Sequence, residues 1–512
     1  MFRTFDRNMS DQKTTVEEKP LKDNKNEFKT KTLYEKICYI KQNITVEPIF
    51  AGLVIGSMLS RIAIQNLNLD KTCRVKQDYG DFVCDELIER KGNHTEQEGE
   101  IQKIISQIET WRSVIQTAVP TLLVIFMGAW SDRTGNRKFC ILLPVAGEIL
   151  VCLSNILSTY FFDEIPVEVT MLLESIFPAV TGGWVMMFLG VFSYISDITT
   201  AESRTFRVGL VNLCMTCGIL VGTSLSGFLL KFGGYYGVFI ITGILNLAIA
   251  TYGCIYLKKN TKPDHDVDEK KDPMTVKYLI TVQKETASVV TRKREGNIRL
   301  KIILTLIVVA MAYGPNHGES KVLYLFLRYR LNWDAVKYSL YSTCNIMTHS
   351  LGALFSISVF SKQWGWDDSV LCLISIVSKM VGSVFIAFVA TDFQMYMVPF
   401  VEILNATTFT SLRSMASKLV PSQEMGKMNS LFSLVETLAA LAFDPTYTLL
   451  YGATMKTFTG AVFLYSACNT LPAISILIWF FRQHRLEVKE KKTEIITQKL
   501  DAICTPTPEK SV

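Results

Sequence analysis

Between Val46 and Phe481 the chain falls into apolar blocks of about 20 residues, apolar on every side and separated by short polar stretches. This feature leaves few folds open. A helix of a soluble domain carries an apolar stripe and a polar back, whereas a block apolar all round suits lipid. In a bilayer every backbone amide must be satisfied within its own segment, so such blocks become spanning helices. The pattern predicts an all-α polytopic membrane protein with about twelve transmembrane helices in two six-helix halves. Spans are expected near 46–66, 110–130, 139–160, 169–195, 207–230, 236–257, 299–327, 336–360, 369–390, 393–413, 427–451 and 458–481. The seventh contains Gly314-Pro315-Asn316-His317-Gly318, which predicts two half-helices or one kinked helix. The expected division is a cytosolic tail over 1–45, an N-terminal bundle over 46–257 with an extramembrane loop at 68–107, a charged cytosolic loop over 258–298, a C-terminal bundle over 299–481 and a cytosolic tail over 482–512.

Charge placement gives the orientation. The net charge is +6, and the basic residues gather in both tails and in the 258–298 loop, with Lys29, Lys31, Lys36 and Lys41 close to the first span. An even number of spans puts these three segments on one side, which the positive-inside bias makes the cytosol. The opposite loops agree: Asp163, Glu164 and Glu168 stand without Lys or Arg, and Asp392 is alone in its loop. The polar first 40 residues contain no secretory leader, so the first span is expected to act as its own insertion signal. The 68–107 loop then faces outside or into a lumen. It holds Asn93-His94-Thr95, an N-glycosylation acceptor. It also holds Cys73 and Cys84, which an oxidising compartment lets pair; two free thiols, or pairing elsewhere, remain the alternatives. Cys140, Cys152, Cys214, Cys217, Cys254, Cys344, Cys372 and Cys468 lie in or beside apolar blocks and read as small core residues. Tyr34-Glu35-Lys36-Ile37 fits a tyrosine-based sorting signal, so the expected address is the plasma membrane or an endolysosomal membrane.

Ionisable groups inside spans are costly and mark function. The candidates are Glu174, His317, Glu319, His349, Lys379, Glu402, Glu436 and Asp444. Glu174 sits near a predicted outer end, where solvation is the alternative. Asp444 precedes Pro445 and also suits a kink. Lys379 is expected to snorkel or to pair with a carboxylate. His317 and Glu319, beside the Gly-Pro sequence, are the candidate proton carriers. Trp184, Tyr194, Tyr313 and Phe409 are candidates for stacking on a ring.

Between spans two and three stands Gly128-Ala129-Trp130-Ser131-Asp132-Arg133-Thr134-Gly135-Asn136-Arg137-Lys138. It reads as a tight basic turn in which Gly135 takes positive φ and Asp132 caps a helix or pairs with a neighbouring arginine. The run resembles the loop signature of the major facilitator superfamily, which implies a conformational latch of Gly128, Asp132, Arg133, Gly135 and Arg137 on the major facilitator fold. The equivalent turn of the second half, Ser361-Lys362-Gln363-Trp364-Gly365-Trp366-Asp367, keeps almost none of it. A narrower resemblance follows span four. Residues 194–207 (YISDITTAESRTFR) are similar to the (S/A)-D-(I/V)-x-x-x-x-S-R-T-x-R run of solute carrier family 46, with Asp197, Arg204 and Arg207 at its fixed positions. Arg413-Ser414-Met415-Ala416-Ser417-Lys418 also resembles a segment of that family. The resemblance implies a substrate- and proton-linked role for Arg413. It aligns the glutamate that couples protons in the folate-carrying member with Asn212, which does not titrate, and a histidine of span seven near Pro315, two positions from His317. These departures point away from folate and toward relatives whose implied substrates are larger amphipathic anions, muropeptides or steroid conjugates.

The resulting expectation is a secondary active transporter working by alternating access. It would move a small organic solute, an anion of the folate, muropeptide or steroid-conjugate kind, with proton coupling left open. The pathway candidates are Arg413, His317, Glu319, Asn212, Glu402, Glu436 and Glu174. A non-transporting receptor or scaffold on the same fold is the alternative, followed by a membrane-embedded lipid enzyme. The chain has no G-x-x-x-x-G-K-[ST] phosphate loop, no H-E-x-x-H, no G-x-S-x-G and no basic face with interleaved aromatics. No pump ATPase, cofactor, metal or nucleic acid is therefore expected. The expected partners are the bilayer, the solute and possible co-transported protons, and the residues do not constrain the oligomeric state.

Overall fold

The computed structural model describes residues 45–92, 94–199, 201–257, 289–290, 292, 297–364, 366–421 and 424–504. The N-terminal tail with Tyr34, Asn93 and most of the 258–298 loop lie outside the described residues, as do the side chains of Asp132, Arg133 and Arg204. The described elements are all helical. In chain order they are α1 (Glu47–Lys71), a π turn (Thr72–Lys76), α2 (Asp81–Glu89), α3 (Thr95–Thr134), α4 (Arg137–Tyr160), α5 (Val167–Thr181), α6 (Gly183–Ile198) and α7 (Ala201–Tyr256). The second half comprises α8 (Ile298–Leu331), α9 (Ala335–Phe355) running into a π turn (Ser356–Gln363), α10 (Asp368–Ala387), α11 (Asp392–Val401), a 3-10 turn (Asn405–Thr407), α12 (Thr408–Lys418), α13 (Met425–Phe458) and α14 (Ala461–Cys504). Among the described residues, nine segments are long and apolar enough to cross a membrane. One of them, 207–256, changes direction at Gly234 and supplies spans five and six. With the broken tenth span and with α13, the count reaches the twelve expected.

Four expectations change. First, the 68–107 segment is largely helix: α1 runs to Lys71, and α3 starts at Thr95 rather than near 110. The polar residues that suggested a loop are paired or buried, Glu98 and Gln102 against the second half. Second, the Gly-Pro sequence does not break span seven, since α8 is continuous. Gly314 and Gly318 are small for another reason: a Cβ on them would strike the rings of Phe443 and Tyr447 of α13. They permit close helix approach. Third, the break lies in span ten. There α11 ends at Val401, and the carbonyl left free accepts a hydrogen bond from Ser378 Oγ at 2.8 Å. Such side-chain repair is what makes an unwound turn tolerable at membrane depth. Gly352 of α9 packs so closely on the Ile403 carbonyl that no Cβ fits. Fourth, α14 continues past 481 to Cys504, so the segment expected as a tail is helical in its first part. Span four is also divided, at Gly182 and Gly183, both with positive φ. The cysteine reading holds for Cys140, Cys152 and Cys372, which are buried, but Cys217, Cys254 and Cys468 are exposed on their helices.

The buried apolar residues show where the halves meet. One cluster draws on both halves, with Ile62, Leu69, Ile101 and Ile105 against Tyr324, Phe326, Tyr447 and Tyr451. It occupies the end of the bundle near residues 72–94, hereafter the loop end. At the opposite end, near the Gly135 turn, the halves keep separate cores: Phe50, Val145 and Tyr194 in the first, Ile302, Leu412 and Phe432 in the second.

Cys73 and Cys84 form a disulfide, Cα atoms 5.9 Å apart, in the shared cluster. Arg74 adds ion pairs to Asp70 at 2.7 Å, to Asp81 at 2.6 Å and to Asp85. Tyr79 donates to Glu100. Burial, then that carboxylate, pushes its phenol up to about 12, so it remains a donor at physiological pH. The disulfide closes a short loop, for which the chain-entropy model gives about 3 kcal/mol. Replacing both cysteines by serine is expected to lower the unfolding midpoint in detergent clearly, read by intrinsic fluorescence. An unchanged midpoint would mean that Arg74 alone fixes α2.

Candidate functional site

In the second half one group of charges draws on α8, α9, α10 and the turn after α11. Lys379 of α10 lies 2.6 Å from Glu319 of α8 and 2.9 Å from Glu402, at the unwound turn after α11. Ser383 Oγ donates to Glu319 at 2.7 Å, and His349 Nε2 of α9 stands 3.9 Å from Glu402. Glu319 and Glu402 are buried. Two carboxylates thus share one ammonium. The broken helix brings Glu402 there, and Gly382 makes room, since a Cβ on it would strike the Glu402 side chain.

A narrow cavity opens beside this group, lined by Pro315, Lys379, Asn405, Phe409, Ser466 and Thr470. Tyr313 stacks on His317 at 5.5 Å and meets Phe409 edge-on at 5.7 Å. Further toward the Gly135 end, Arg413 is exposed, paired with Glu436 at 3.1 Å and set over the Phe432 ring at 4.9 Å. Asn212 is exposed on α7.

At the loop end the two halves are bolted together. Arg328 of α8 is buried, donates to Glu98 and to Asn66 at 2.8 Å each, and reaches the Leu87 carbonyl at 3.2 Å. Tyr451 donates to Gln102 at 2.7 Å, Asn66 to the Tyr324 hydroxyl at 2.7 Å, and Thr110 and Thr448 share a 2.9 Å bond. Nearer the middle a ladder of charges crosses from one half to the other. Glu174 meets Arg112 at 3.4 Å, and Arg112 meets Glu109 at 3.0 Å. Lys321 lies 4.0 Å from Glu109 and 3.9 Å from Asp444, which meets His317 at 2.7 Å. Asp392, the first residue of α11, accepts from Trp333 Nε1 at 2.7 Å and Lys337 at 3.1 Å. Burial pushes its carboxyl up, but these two donors outweigh it and hold it below the usual carboxylate range.

A model of the Major Facilitator Superfamily matches residues 53–443. The chain belongs to that superfamily. Its similar curated relatives are members of solute carrier family 46. One is a probable peptidoglycan muropeptide transporter of Drosophila melanogaster, 22% identical over 436 residues that cover 82% of each chain. Another is a lysosomal proton-coupled steroid conjugate and bile acid symporter of Bos taurus, 26% identical over 387 residues, covering 74% of this chain and 81% of the relative. Among solved structures, a D-xylose-proton symporter aligns with a TM-score of 0.58 at 12% identity, over 84% of this chain and 95% of its own. The human organic anion transporter MFSD10 aligns with a TM-score of 0.56 at 12% identity, over 85% and 98%. These structures share the fold, and the chain is a multi-pass membrane transporter of this superfamily.

The residues expected in the superfamily's loop are partly placed. Gly135 ends α3 with φ 66°. Arg137 binds Asp197 at 3.0 Å and Ser131 Oγ at 3.0 Å, which joins the turn to the run after span four. Arg207 grips Glu47 through two bonds of 2.7 and 3.1 Å. Gly128 faces Leu189 with ordinary room for a side chain, so the packing does not demand a glycine there. The pathway candidates separate into three places, Glu319 with Glu402, Arg413 with Glu436, and His317 and Glu174 in the ladder, while Asn212 stands apart on α7. Glu174 is buried, which removes its solvated alternative. Glu109, Arg112 and Arg328 were missed because the sequence placed them at or just beyond span ends, whereas Lys321 falls within the expected seventh span and was passed over. Their signal was opposite charge in register, such as Glu109 and Arg112 on one helix turn.

Proposed function

We propose that the chain is a secondary transporter that couples movement of an amphipathic organic anion to protons. The observation that carries the proposal is the Glu319–Lys379–Glu402 group. With both carboxylates ionised it holds one negative charge too many for a site inside a bilayer, and one proton neutralises it. Protonation frees Lys379 from one partner, and Glu402 sits on the unwound turn of span ten, so the charge change acts on a pliable backbone. Arg413 is the anchor for the substrate's carboxylate, sulfate or phosphate: its planar fork suits such groups and it is exposed. Tyr313, His317 and Phe409 supply a stacking face. Glu436 holds Arg413 until an anion arrives.

The charge bias of the tails and the 258–298 loop supports a cytosolic Gly135 end, with the loop end and Asn93 outside or in a lumen. On that orientation the bundle is open to the cytosol. The relatives' names support an endolysosomal membrane and a steroid-conjugate or muropeptide-like cargo.

Purified protein in proteoliposomes with an imposed pH gradient tests this. Labelled steroid sulfate, muropeptide and folate are offered side by side. A steroid sulfate or muropeptide is expected to accumulate only with a gradient, and Arg413→Ala to raise KM at least about tenfold, as expected for loss of a charge-assisted anchor. Folate accumulation alone would reverse the substrate class. Binding without uptake of any of the three would favour a receptor on this fold.

A further inference from the structure

We infer that the N-terminal half binds a sodium ion between α1, α4 and α7, through Glu148, Ser57, Thr242 and Asn246. This site is separate from the charges described above, and the inference does not rest on the proposed proton coupling.

Glu148, itself half-buried, lies on the stripe of α4 that carries the buried Ile141, Pro144, Val145, Val151, Cys152 and Asn155. The opposite stripe, Leu150, Leu153 and Leu157, is exposed. Every other acidic side chain discussed above in the spans has a cation beside it. Glu148 has none among the described residues, and the polar side chain that acts on it is that of Ser57 in α1. On the facing helix α7 two buried oxygens lack a hydrogen-bond partner, Thr242 Oγ1 and Asn246 Oδ1. Thr242 and Asn246, one turn apart on α7, are fully buried. Both residues face α1 at Gly56, where an added Cβ would lie 3.4 Å from Thr242 Cγ2. Asn246 Oδ1 is 3.1 Å from where a Cβ of Gly56 would lie, next to Ser57. Asn246 Nδ2 turns to Cys152 Sγ at 3.9 Å, one turn along α4 from Glu148, which leaves the amide oxygen free.

Buried polar atoms without partners are few in native proteins, and each requires an explanation. A proton on Glu148 would neutralise the carboxylate and leave Thr242 and Asn246 unsatisfied. A hard cation answers both needs, since it takes carboxylate, hydroxyl and amide oxygens together. One carboxylate balances one positive charge, so a divalent ion would leave an excess charge in the membrane. The donor set contains no imidazole or thiolate, which argues against a transition metal.

The test is equilibrium binding of 22Na+ to the full-length protein in nanodiscs, without substrate or pH gradient, so it reads the site even if the transport reading fails. Saturable binding is expected, displaced by unlabelled sodium and not by choline. Thr242→Val and Asn246→Leu should each weaken it at least tenfold, and Glu148→Gln should abolish it. Glu402→Gln, in the other half, should leave it unchanged. If Glu148→Gln does not fold, the two α7 variants decide the question. No saturable binding by the natural protein, or binding unchanged in both α7 variants, overturns the site. A pH titration lost in Glu148→Gln without sodium binding would replace the ion by a proton and overturn it equally.

Discussion

Lys379→Met is expected to be the most damaging single substitution in the second half. It leaves Glu319 and Glu402 buried together without the ammonium that both face at less than 3 Å. Removing one partner from a buried ion pair typically costs about 3–5 kcal/mol, most of it the penalty on the charge left behind. Here two charges are left. The variant should express poorly and unfold at a much lower temperature in detergent. The informative companion is the triple variant Lys379→Met, Glu319→Gln, Glu402→Gln, which removes every charge of the group. It is expected to recover most of the stability, because neutral groups of the same shape tolerate burial. It should not recover accumulation driven by a pH gradient, and should at best equilibrate solute. If the triple variant still accumulates solute against its gradient, the group serves packing and the proton moves elsewhere.

The second large effect is expected at the loop end. Arg328 carries three bonds from the second half into the first, to Glu98, Asn66 and the Leu87 carbonyl. Bonds to a charged group contribute roughly 1.5–3 kcal/mol each when buried. Losing even one shifts a two-state balance by about tenfold or more, at 1.4 kcal/mol per tenfold. Arg328→Gln should therefore move the population toward a state open at the loop end. Spin labels at the exposed Phe82 and Phe393, on opposite halves, would report this as a longer distance component in double electron–electron resonance. Glu98 keeps Arg90 at 3.3 Å, so the variant should remain folded. An unchanged distance distribution would show that the shared apolar cluster alone holds this end shut.

The fold was largely legible because hydropathy reports the bilayer directly: block length, all-round apolarity and the Lys/Arg bias need no tertiary knowledge. Helix ends were less legible. Thr95 to Glu109 looks like loop because its polar residues satisfy one another or the opposite half, a fact of tertiary pairing that composition does not carry. Gly314 and Pro315 misled for a related reason. A glycine that admits a neighbour's ring is indistinguishable in sequence from one that ends a helix. At the candidate site, the listing of costly intramembrane charges found Glu319, Glu402, Lys379, His349 and Asp444, but not who meets whom. His317 and Glu319 are close in sequence, yet one pairs with α13 and the other with α10. Glu148 went unlisted although it interrupts an apolar span, since one carboxylate in a strongly hydrophobic helix draws little weight until its neighbours are placed.

The closed loop end also has a pharmacological consequence. Its face is assembled from α2 and the start of α3 on one side, and from Arg328, Tyr329, Arg330 and Asn332 on the other. A composite face of this kind exists only while the halves are together. An antibody fragment or macrocycle that grips both sides at once would bind one conformer and trap it, since a ligand shifts an equilibrium by its preference between the states. Screening for binders that lose affinity for Arg328→Gln would select conformational inhibitors without any knowledge of the transported solute.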